Sequence, residues 1–192
     1  MEPTLASAAA PTQTKPVHPL TYLALAVLTA GTVLFLWQAS SSYEIYKTLH
    51  VVLAVVWVGG GAAFTIMALL ADRNRATAEM PVIAKYATFF GERIFTPAGI
   101  LVLGFGIAMV EKANWGWGVF WIDFALAGWA LSTVVGIGYL SPASKKLTKL
   151  LEEKGPEHPG VRPAIDALIG VARFDVVLLI LIVLDMAAKP TF

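Results

Sequence analysis

The residues with chemical potential in this chain are few. His50 lies in the apolar stretch Tyr46-Lys47-Thr48-Leu49-His50-Val51-Val52, a short distance before the triplet Gly59-Gly60-Gly61. Met109, Asp123, Asp185 and Met186 also lie in or at the ends of apolar runs, and so do Arg93, Arg173 and Asp175. A ring nitrogen, carboxylates and thioethers at similar depth would offer ligands to haem or copper, or a route for a proton. An ionisable group among lipid tails is costly unless it is paired or used. Met109, Met186 and His50 are the candidate cofactor ligands, and His50, Asp123 and Asp185 the candidate metal ligands. Arg93, Arg173 and Asp175 are the candidate structural ion pair.

The elements that must position these groups follow from hydropathy. The chain of 192 residues is 57% hydrophobic and 14% charged, and its mean hydropathy is +0.71. A soluble domain carries nearer a quarter charged residues. A crossing takes roughly 20 apolar helical residues, so the length suits about five spans with short loops. The expected fold is an all-α polytopic membrane helix bundle with spans at 20–38, 46–71, 93–110, 119–140 and 164–188. Residues 1–19, rich in Ala, Pro and Thr, read as a disordered tail, and 46–190 as a four-helix core to which the first span is added. Pro97 falls in the first turns of its span, where a missing amide hydrogen does least harm. A short amphipathic surface helix is expected over 145–151.

Basic residues set the orientation. Arg73, Arg75, Lys85 and Arg93 fall between the second and third spans, and Lys145, Lys146, Lys149, Lys154 and Arg162 between the fourth and fifth. These loops are expected at the cytoplasmic face of a bacterial inner membrane, with the N-terminus inside and the C-terminus outside. Trp37, Trp115, Trp117 and Trp121 then share the outer interface as an aromatic belt. His50, Met109, Asp123, Asp185 and Met186 fall in the outer half, and Arg93, Arg173 and Asp175 towards the inner side.

Other classes find little support. The net charge of +1 gives no reason for a nucleic-acid partner, and the absence of cysteine removes thiolate metal sites and disulfides. There is no phosphate loop, no dinucleotide fingerprint and no His-x-x-x-His pair on a helix. A haem held by two histidines on facing helices would need a second embedded histidine, whereas His18 and His158 lie in the tail and a loop. No catalytic set is assigned. Gly59-Gly60-Gly61, Gly99, Gly104, Gly106, Gly128, Gly136 and Gly138 suit close helix packing, or leave room for a flat cofactor or lipid tail.

The stretches Lys47-Thr48-Leu49-His50, Trp57-Val58-Gly59-Gly60, Arg93 with Pro97, Arg173 to Asp175, and Asp185-Met186-Ala187-Ala188-Lys189-Pro190 resemble an uncharacterised family of small bacterial integral membrane proteins with a domain of unknown function. More distantly, the Lys-x-x-His…Trp-x-x-Gly helix is similar to those of membrane protoporphyrinogen oxidases and copper-resistance D-type proteins. The oxidase resemblance implies haem ligation at His50, although this chain lacks the later helical lysine that those enzymes pair with the histidine. The readings carried forward are an accessory membrane protein with a haem b or copper site at His50, a structural subunit of a respiratory or photosynthetic complex, and a membrane oxidoreductase of porphyrin or quinone chemistry. Contact with membrane lipid and assembly as a homo-oligomer or within a larger complex are expected of all three.

Overall fold

The computed structural model describes residues 41–74 and 79–190, with single positions at 27, 30 and 34. The expected tail 1–19 and most of the expected span 20–38 lie outside the described residues. The chain divides into two units, 1–40 and 41–192, and the fold described here is that of the second.

Six α-helical segments build four long apolar rods. They are α1 (Ser42–Arg73), α2 (Met80–Phe90), α3 (Thr96–Ala113), α4 (Phe120–Val135), α5 (Ser141–Lys154) and α6 (Val161–Ala188). α2 runs into α3 through a π-helical turn at Gly91–Phe95, and α4 into α5 through another at Gly136–Leu140. Each of the four rods is long and apolar enough to cross a membrane. Only helices and closed barrels satisfy every backbone amide in hydrocarbon, and the described residues contain no strand.

The rods are longer than the apolar spans expected at 93–110 and 119–140. The continuous helix Met80–Ala113 contains 34 residues and Phe120–Lys154 contains 35. At 1.5 Å per residue each is roughly 50 Å long, well beyond a hydrocarbon core of about 30 Å. The expected surface helix at 145–151 is therefore the continuation of a spanning rod. The physical reason lies in a pattern that occurs twice, Gly91-x-x-x-x-Thr96-Pro97 and Gly136-x-x-x-x-Ser141-Pro142. A proline inside a helix lacks an amide hydrogen and crowds the carbonyl four residues earlier. Here the turn before each proline widens by one residue, so the Thr96 amide reaches the Gly91 carbonyl and the Ser141 amide the Gly136 carbonyl. The Thr96 hydroxyl also donates to the Gly91 carbonyl at 2.8 Å. The helix is locally widened but not broken.

α1 packs most extensively on α3, α4 on α6, and α2 on α5, while α1 also meets α6. Two packed ends result. At one, Ala71, Met80, Leu147, Leu151, Val161, Ile165 and Ile169 form an apolar core. Arg162 caps it with ion pairs to Asp72 at 2.5 Å and Asp166 at 2.7 Å. At the other, Val110, Trp121 and Ile122 are buried against Trp115, Val119, Leu126 and Met186. Lys189 places its ammonium 4.3 Å from the Trp115 ring centroid, which ties the end of α6 to the α3–α4 turn. Gly116 and Gly118 in that turn have φ of +79° and +85°, a region open to glycine at little cost.

The glycine triplet divides by role. A Cβ on Gly60 would collide with the Phe95 ring, whereas Gly59 and Gly61 have open space around them. Gly60 is thus the point where α1 approaches the first π turn. Gly60→Ala is expected to destabilise the purified protein by roughly 1–3 kcal/mol, as overpacking does, and Gly59→Ala to leave thermal unfolding in detergent unchanged.

Candidate functional site: a polar cavity between the two π turns

His50 sits on the face of α1 that meets α3. Its Nδ1 lies 2.8 Å from the Val102 carbonyl oxygen. A carbonyl only accepts, so Nδ1 carries the hydrogen and Nε2 keeps its lone pair. The ring fits because position 106 is glycine: a Cβ there would stand 3.2 Å from His50 Cε1.

The other residues expected in that half differ in burial and contacts. Met109 is buried, and Met186 packs against the Val110–Trp121–Ile122 cluster. Asp185 is 9% exposed, and its Oδ2 has no hydrogen-bond partner. Asp123 is exposed. No group of three or more His, Asp or Glu side chains able to hold a metal ion occurs among the described residues.

Towards the other side the structure assembles something different. Arg93 is exposed and stacks its guanidinium over the Phe89 ring at 5.3 Å. Arg173 is exposed too. Asp175, by contrast, is only 9% exposed, and the described residues hold no ion pair to it. The three side chains expected to form an ion pair point to different surroundings.

Asp175 lines a cavity of about 570 Å³ to which all four rods contribute. Trp57, Gly61, Phe64 and Thr65 contribute from α1, and Phe95, Thr96 and Gly99 from the first π turn and α3. Ser132, Gly136 and Ile137 contribute from α4 and the second π turn. Asp175 comes from the same face of α6 as Ile165, Ile169 and Leu179. Ser132 lies beside the Asp175 carboxyl, close enough to interact. Beyond this mutual approach, neither Ser132 Oγ nor Asp175 Oδ1 has a hydrogen-bond partner among the described residues, and both atoms are buried. Ser132 is 2% exposed. Unsatisfied polar atoms in such a place are uncommon and costly.

The rim has two characters. Glu92 takes a hydrogen bond from the Ser141 hydroxyl at 2.6 Å and pairs with Lys145 at 2.5 Å, so the two rods with π turns are tied together there. All three residues line the cavity. Ile100 and Ile137 also line it, yet are 57% and 53% exposed, which makes an apolar lip facing the surroundings of the helices.

The family model for a predicted integral membrane protein, DUF2269, matches residues 44–190. The chain belongs to this family. No curated protein and no solved structure matches it. The four rods that contribute to the cavity all fall within the matched residues of this DUF2269 member.

Sequence reasoning missed Ser132 and Thr65 and placed Asp175 in an ion pair. A signal existed for Ser132. Gly128, Ser132 and Gly136 recur every fourth residue and mark a small-residue face. Since Ser132 Oγ and Asp175 Oδ1 engage at most each other among the described residues, removing them should not weaken the fold. Ser132→Ala and Asp175→Leu are expected to leave thermal stability unchanged or raised by about 1 kcal/mol. Leu179→Ala, from the buried face of the same helix, is expected to lower it by roughly 2–5 kcal/mol. Unfolding of the three variants in one detergent checks the contrast.

Proposed function

We propose that this integral membrane protein is an accessory binding protein, not an enzyme, which admits a lipophilic ligand carrying a polar head into the cavity between the two π turns. The observation that carries this reading is the pair of buried atoms, Ser132 Oγ and Asp175 Oδ1, which have no partner but each other among the described residues, inside a largely apolar chamber. Ligand sites combine an apolar wall with a few converging polar groups in this way. The exposed lip at Ile100 and Ile137 suits entry from lipid, and the Glu92–Lys145 rim suits a polar head near the interface. The distribution of basic residues favours this rim lying on the cytoplasmic side of a bacterial inner membrane, with the C-terminus outside.

The test uses the full chain in phosphatidylcholine nanodiscs. Titration with 1-octanol should raise the melting midpoint saturably, and Ala172→Phe, which fills the cavity from α6, should abolish the rise. An identical response in both proteins would mean that the alcohol acts through the bilayer and would sink the reading.

A second reading, a haem b or copper site at His50, is supported by the His50 Nδ1 contact with Val102, which leaves Nε2 as a free donor. Met109, Met186, Asp123 and Asp185 are the companion ligands it would draw on, from this chain or from a second copy. If it holds, the purified protein shows a Soret band or stoichiometric copper that His50→Ala loses. A colourless, metal-free wild type excludes it.

A further inference from the structure

We infer that the ligand of this cavity is an amphiphile with a cationic amine head, bound as an ammonium by Asp175 and Ser132. The inference rests on the cavity reading above and names the chemistry of its occupant.

Among the described residues three charged side chains line the cavity: Glu92, Lys145 and Asp175. Glu92 and Lys145 neutralise each other at the rim, where the ion pair spans 2.5 Å. Arg93 and Arg173 are exposed, and Arg93 lies over Phe89. Among the described residues Asp175 is therefore left with no cation, although it is only 9% exposed. To be ionised at that depth, the carboxyl needs a positive charge beside it.

The neighbouring groups select the shape of that charge. Asp175 Oδ1 only accepts when ionised, and Ser132 Oγ accepts as readily as it donates. An ammonium carries three hydrogens, enough to serve both atoms and leave one over. Trp57, Phe64 and Phe95 line the same chamber, and aromatic faces attract a desolvated cation. The open space at Gly61, Gly91 and Gly136, all of them cavity residues, leaves room for an alkyl chain. A fatty acid would meet Asp175 with like charge. A fatty alcohol would satisfy one hydrogen bond and leave the carboxylate uncompensated.

The experiment compares octylamine, 1-octanol and octanoate on the full chain in phosphatidylcholine nanodiscs at neutral pH, reading the melting midpoint against ligand concentration. The Ala172→Phe protein serves as the background. Octylamine is expected to act at about tenfold lower concentration than octanol, the factor that one charge-assisted hydrogen bond supplies. Octanoate is expected to have no effect above background. Asp175→Asn should bring octylamine to the level of octanol, and Ser132→Ala should weaken octylamine several-fold. The three-probe comparison on the unaltered chain needs no variant of Asp175, so it decides even if Asp175→Asn does not fold. Octanol binding as tightly as octylamine overturns the ammonium assignment and leaves the cavity reading standing. No response above background to any probe overturns both.

Discussion

Every backbone amide in hydrocarbon must find its partner within the protein, and this chain tests that constraint twice. Pro97 and Pro142 stand inside rods that cross the bilayer, at places where a regular α-helix would leave a carbonyl unbonded. Each is preceded by five residues wound as a π turn, with glycine at the start and a hydroxyl residue before the proline. The wider turn keeps the hydrogen-bond chain running. The cavity lies between the two widened turns, and both contribute to its wall.

Packing is uneven along the bundle. At one end leucine, isoleucine and valine side chains close against one another beneath the Arg162 ion pairs. At the other, tryptophans and Lys189 clasp the turn between α3 and α4. Beside the first of these cores the fold accepts a largely apolar void into which a few glycine, threonine and serine residues also open. Glycines allow close helix contact at several points, among them Gly60 under Phe95, Gly106 under His50, and Gly128 under Ile182. Helices in lipid gain association chiefly through such contacts, so a bundle can be held firmly at a few places and stay hollow elsewhere.

The polar atoms of the cavity run against the interest of the fold. Ser132 Oγ and Asp175 Oδ1 satisfy no backbone group and join no ion pair. His50 is the counter-example, because its ring is engaged by the Val102 carbonyl and seated against a glycine. A histidine with a structural hydrogen bond explains its own burial, whereas a carboxylate without one does not. That contrast moves the functional weight from His50 to Asp175.

The sequence by itself determined the all-α membrane character, since long apolar runs in this number leave no other way to satisfy the backbone. It did not determine where two of the rods end. A proline reads as a helix boundary in any local rule, and only the widened turns, a response to neighbouring helices and lipid, carry the helix past it. The partner of Asp175 was likewise beyond local reading. Arg93 stands near it in hydropathy depth, but depth says nothing of the direction a side chain takes around a helix axis. Tertiary packing turned Arg93 outward onto Phe89 and Asp175 inward towards Ser132, and so made a cavity where the sequence implied an ion pair.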